Sequence, residues 1–204
     1  MNSKHQMAKM RLITYSAIFG VLAVVVTIFK IQLPFGNPNF GSTPVTIAAV
    51  FLPWPVSVIT GILKGIGVSI WTGKVFVEMP AGIGDALMAY FTNRLAKRWK
   101  KSYAAVAGQI SRYIFTSGMV ALFISLAIAM GAISPTGMLI PGLAPSSSFT
   151  ANLFTTWAAI SFPALTLSII FNASASVLII QLAGKRIEER LSKDCRMLKI
   201  ESEK

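Results

Sequence analysis

Side chains that carry chemistry are scarce in this chain. It has one histidine and one cysteine in 204 residues, and seven acidic residues against nineteen basic ones. His5 lies in the N-terminal tail and Cys195 in the charged C-terminal tail. That leaves no intrachain disulfide, no cysteine redox pair, no histidine metal site and no Ser-His-Asp triad. No G-x-x-x-x-G-K-[S/T], H-E-x-x-H, C-x-x-C or G-x-S-x-G motif occurs, so neither an ATPase phosphate loop nor a common hydrolase signature is present. No enzymatic activity and no cofactor is expected. Charge is scarce too: 13% of residues are charged, against about 25% in a soluble domain.

What is abundant is apolar. Hydrophobic residues make up 54% of the chain and the mean hydropathy is +0.66, so there are too few charges to coat a soluble surface. The net charge of +12 would point to nucleic acid if it lay on one soluble face. Instead the cations gather between apolar runs, which is how membrane topology is written. The expectation is a single membrane domain over residues 1–204, with a cytoplasmic tail at 1–10, a helical bundle at 11–184 and a second cytoplasmic tail at 185–204.

A hydrocarbon core about 30 Å thick needs about 20 apolar residues per helix. The apolar runs are Leu12–Phe29, Thr43–Thr72, Ala81–Leu95, Tyr103–Ile133 and Phe149–Leu182. The first lacks an Ala-x-Ala cleavage pattern and reads as a retained helix. Fifteen of the nineteen basic residues fall in three clusters: Lys4 to Arg11, Arg94 to Lys101, and Lys185 to Lys204. If all three face the cytoplasm, an even number of crossings separates each from the next. This requires splitting Thr43–Thr72 at Pro53, Trp54 and Pro55, although each half, of about 15 residues, spans only about 22 Å. The expected architecture is therefore a bundle of six transmembrane helices in the cell membrane, both termini inside, with outer loops at 34–43, 73–80 and 134–152.

Six charges lie outside the clusters and the tail: Lys30, Lys64, Lys74, Glu78, Asp85 and Arg112. A charge at a helix centre costs roughly 2.5–3.5 kcal/mol on insertion scales, so it usually faces an interior or a cavity. Lys64, mid-way along the third helix, either does that or snorkels along its stem to the interface. Asp85, about one turn into the fourth helix, either lines a site or complements a helix N-terminus. Asn172, within the last helix, is either a site residue or interhelical glue. Lys74 and Glu78 read as loop residues, Lys30 and Arg112 as interfacial structural ones. Together Lys64, Asp85 and Asn172 describe an outward-opening pocket capped by loops and lined by aromatics such as Phe35, Phe40 and Trp71. Ser16 and Gly20 form a small-xxx-small pair on the first helix, suited either to a docking partner or to packing within the chain.

Several features resemble the substrate-binding (S) components of energy-coupling factor transporters over residues 11–186. They are Gly41, Ser42, Thr43 and Pro44 opening the second helix after a loop, and Gly61, Lys64 and Gly65 in the third. Trp71, Thr72 and Gly73 before a loop, Pro80, Ala81, Gly82 and Asp85 opening the fourth, and Phe171 and Asn172 in the sixth complete the pattern. The stretch from Lys64 to Asp85 is most similar to riboflavin-specific members. The resemblance implies a membrane subunit that captures a vitamin-like molecule from outside, without its own ATPase. It also implies docking through the first helix onto a transmembrane coupling subunit that works with two ATPase subunits. In those terms Lys64, Asp85 and Asn172 belong to the ligand shell, with Asn37, Asn39, Trp71, Lys74 and Glu78 as lid residues. Ser16 and Gly20 stand where the family usually has alanines for docking. A self-sufficient secondary transporter or channel that couples through Asp85 and Lys64, and a non-transporting membrane scaffold, are the alternatives.

Overall fold

The computed structural model describes residues 3–31, 38–132 and 148–199. Among them every regular element is helical: α1 (Ser3–Ile28), α2 (Ser42–Phe51), α3 (Trp54–Thr72), α4 (Val75–Ala96), α5 (Lys101–Ser111), α6 (Phe115–Ala129), α7 (Phe149–Ile160) and α8 (Thr166–Lys199). Four stretches are long and apolar enough to cross a membrane: Lys9–Ile28, Trp54–Thr72, Lys101–Ala129 (which takes in α5 and α6) and Thr166–Arg190. Their outer surfaces stay apolar, with Ile13, Val21, Ile70 and Leu182 each more than 60% exposed. In water such faces would be costly; against lipid they are not.

The breaks between helices have local causes, and their freed backbone groups are satisfied. Proline at 53 has no N–H to continue α2, and the Ala49 and Leu52 carbonyls at this break accept from Asn93 Nδ2 at 2.8 and 2.9 Å. At ten residues, or about 15 Å, α2 reaches only half-way through an apolar core of about 30 Å. Gly73, at φ 69°, ends α3 in a left-handed cap, a conformation glycine adopts without a Cβ penalty. Only Gly73 and Lys74 then separate α3 from α4, which corrects the expected loop at 73–80. Pro80 sits inside α4, five residues past its start. Between α5 and α6 the chain tightens over residues 112–114, and the Tyr113 carbonyl accepts from Trp157 Nε1 at 2.7 Å. Between α7 and α8 a wide turn over Ser161–Leu165 contains an extended Phe162 just before Pro163, as the residue preceding a proline prefers.

The described parts of the three basic clusters lie toward one end of the bundle. Lys101, opening α5, pairs with Glu188 on α8 at 2.7 Å and lies 4.7 Å above the Phe51 ring that ends α2. Trp54, opening α3, meets Tyr90 of α4 edge-on at 5.8 Å, and Leu12 and Tyr15 of α1 pack on Leu52 and Val56. At the opposite end, the connector after α1 returns at Pro38, whose carbonyl accepts from Ile31 N at 3.0 Å. It then dives inward: Pro38 is fully buried, as are residues 41–43. Of the expected outer loop at 34–43, Pro38 and residues 41–43 are thus buried, with Asn39 and Phe40 half-buried between them.

Helices α3 and α4 cross with their backbones nearly in contact. A Cβ on Gly61 would stand 2.6 Å from the Ala86 nitrogen, and one on Gly65 2.7 Å from the Gly82 Cα. Glycines let the two backbones touch.

Candidate functional site

That crossing brings Lys64, beside Gly65, to Asp85, three residues past Gly82. Asp85 is fully buried near the middle of α4, about three turns from its start rather than one. Both of its oxygens are saturated. Oδ2 accepts from the Lys64 ammonium and from Ser42 Oγ at 2.8 Å, while Oδ1 accepts from Thr116 Oγ1 at 2.9 Å and Arg112 Nε at 3.1 Å. Lys64 Nζ also donates to Ser42 Oγ at 2.9 Å. Ser42 is the first residue of α2, so the half-length helix sets the positive end of its dipole beside the carboxylate.

A second tier of polar contacts surrounds the first. Gln109 Nε2 donates to Thr46 Oγ1 at 2.6 Å, and its Oε1 accepts from Arg112 Nη1 at 3.4 Å. Asn172 Oδ1 accepts from Thr43 Oγ1 at 2.9 Å, while Nδ2 donates at 2.7 Å to both the Ser168 and the Asn39 carbonyls. The last helix thereby holds the buried end of the α1–α2 connector directly over the charged core.

Two cations and one anion thus share an interior site drawn from α2, α3, α4, the 112–114 turn and α6. Buried pairs of this kind contribute little net stability, because desolvation offsets attraction. Charges at this depth among apolar helices are costly and need partners of this kind.

The remaining expected residues scatter. Asn39 joins the second tier through its carbonyl, and its Oδ1 accepts from Gly41 N at 2.9 Å. Phe40 stacks obliquely on Phe171 with centroids 5.7 Å apart. Glu78 is half-buried on α4, two turns from Asp85, and makes no ion pair among the described residues. Trp71 is 67% exposed and Lys74 is exposed, so neither lines the cluster. Asn37 and Phe35, with most of the 134–152 loop, lie outside the described residues. Ser16 and Gly20 are buried inside the chain, and a Cβ on Gly20 would press on Leu63 of α3 at 2.9 Å. Gly20 thus packs against α3 within the chain.

Arg112 is the residue sequence reasoning misplaced. Read as interfacial, it is 5% exposed and bonded to Asp85. Its position amid the apolar run Tyr103–Ile133 was the available signal, since the cost that singled out Lys64 applies equally there. A crevice of about 450 Å³ lies between α6 and α7, lined by Ile114, Gly118, Leu122, Leu153, Phe154 and Trp157 among others, with none of the cluster's polar residues.

No protein-family model, curated protein or solved structure matches the chain. Function must therefore be argued from the cluster itself. Among the described residues no group of three His, Cys, Asp or Glu side chains could hold a metal ion.

Proposed function

We propose that the chain is a multi-pass membrane subunit that captures a small polar ligand from outside the cell and passes it inward with the help of ATP-hydrolysing partners. This is the arrangement of the S components of energy-coupling factor transporters. The observation that carries the reading is the buried Asp85–Lys64–Arg112 cluster, roofed by Asn172 and the Asn39 carbonyl, inside apolar helices. Charges held at that depth are characteristic of substrate pathways.

The bundle is read as six passes. α1, α2, α3 and α4 count separately, α5 with α6 makes one pass, and α7 with α8 makes another. Support comes from the described parts of the three basic clusters lying toward one end, which the positive-inside rule assigns to the cytoplasm together with both termini. The connector beside Asn172 then lies toward the outside, and the chain resides in the cell membrane. With no phosphate loop in the sequence, energy comes from a transmembrane coupling subunit and two ATPases. A vitamin or similar micronutrient is the ligand class in this reading.

The test is to purify the chain in mild detergent, identify by mass spectrometry any small molecule retained, and reconstitute the chain alone in vesicles. Stoichiometric retention with no uptake by the chain alone is expected. Accumulation driven by an ion gradient in vesicles holding this chain only would overturn the reading in favour of a secondary transporter.

A further inference from the structure

The charged cluster is unbalanced, and its imbalance is concentrated on Arg112. Lys64 and Arg112 bring two positive charges to Asp85's single negative one, all three at most 8% exposed. Glu78, the other acid outside the C-terminal tail, stands two turns away in a half-exposed position without an ion pair among the described residues. It acts on Lys64 through space and not by contact, which leaves the Arg112 side of the site without a second acid among the described residues.

The guanidinium is also only partly used. Nε is committed to Asp85 Oδ1 at 3.1 Å. Nη1 reaches Gln109 Oε1 and Ser168 Oγ at 3.4 Å each, beyond the usual 2.7–3.2 Å range of a good N–H···O bond. Among the described residues no bond is made by Nη2. An arginine fork presents parallel donors matched to two oxygens of one planar or tetrahedral anion. Here its inner edge is filled by the protein and its outer edge stands beside Ser168, next to the Asn39 and Asn172 roof.

We propose that Arg112 is the anion-recognising residue of this site, and that the captured molecule carries a carboxylate or phosphate that completes the guanidinium's bonding and cancels the surplus positive charge. This rests on the capture reading above, and it excludes an uncharged flavin such as riboflavin as the preferred ligand.

The experiment measures binding to the purified full chain for matched pairs that differ in one charged group. The pairs are nicotinate and nicotinamide, pantothenate and pantothenol, biotin and its methyl ester, and flavin mononucleotide and riboflavin. At least one anion is expected to bind ten-fold or more tighter than its neutral partner, and which pair responds separates carboxylate from phosphate recognition. Arg112→Gln should abolish that preference, and Arg112→Lys, which keeps the charge and loses the fork, should restore part of it. Neutral members binding as tightly as their anionic partners would overturn the anion assignment and leave capture standing. Binding of no member by the wild-type chain would overturn both. A folded Arg112→Gln protein that keeps the preference would remove Arg112 from the role. Should Arg112→Gln not fold, Arg112→Lys decides: an anion preference equal to wild type would remove the Arg112 fork from the role.

Discussion

Gly65 of α3 and Gly82 of α4 touch backbone to backbone, leaving 2.7 Å between the Gly82 Cα and the place a Cβ on Gly65 would occupy. The contact sets the depth at which Lys64 meets Asp85. Interhelical distance, not side-chain length, brings the ammonium to the carboxylate.

Gly65→Ala should therefore destabilise the protein by about 1–3 kcal/mol, because the only atoms in the way are backbone and α3 must move off α4. Gly118→Ala is the matched control. A Cβ there meets nothing within 4 Å, and the substitution should be neutral or stabilise by about 0.4–1 kcal/mol through the unfolded state. Thermal unfolding in detergent measures both; equal losses would refute the seam.

Asp85→Asn should leave Lys64 and Arg112 facing one another without their shared anion. The expected cost is about 3–5 kcal/mol, as for other broken buried pairs, together with loss of ligand capture. Adding Lys64→Met should recover part of the stability and none of the capture. A double-mutant cycle on unfolding free energy checks the coupling, and simple additivity would count against it.

Asn93→Leu should unpair the Ala49 and Leu52 carbonyls that Asn93 Nδ2 now serves. A loss of about 1–3 kcal/mol follows from a stranded buried acceptor. Faster hydrogen exchange at the Phe51 and Leu52 amides should accompany it, and unchanged exchange would place the cap elsewhere.

Asn172→Leu should release the Asn39 carbonyl, now bonded at 2.7 Å. Exchange of the Gly41 and Thr43 amides should rise, since both depend on the turn at Asn39 and Phe40. Rates equal to wild type would show that the connector holds itself in place.

Orientation is testable by thiol labelling on a Cys195→Ser background. Lys74→Cys should react with a membrane-impermeant reagent in intact cells, whereas Lys97→Cys should react only after permeabilisation. The reverse pattern would invert the bundle and end the proposal of capture from outside.

Much of the fold was legible because the responsible forces act along the chain. Runs such as Leu12–Phe29 declare helices that need an apolar surround. Pro53 interrupts α2 for want of an N–H, and the described parts of the basic clusters lie toward one end of the bundle. Pro80 misled, since α4 starts at Val75 and runs on through it. Lys64 and Asp85 stood out because each needs a partner at its depth. Arg112 deserved the same inference and was placed at an interface instead. The Ser16 and Gly20 spacing marks a close approach on α1, without saying that Gly20 meets Leu63 of α3.

By itself, then, the amino-acid order determined an apolar helical chain, where its helices yield to turns, and that a few charges are too costly to leave alone among them. Only the tertiary structure decided which charges meet. Hydropathy and spacing act residue by residue, whereas the partner of a buried ammonium depends on where two helices cross. That crossing is set by glycines on α3 and α4, by a helix stopping half-way at Ser42, and by a turn at Arg112 that aims a guanidinium inward.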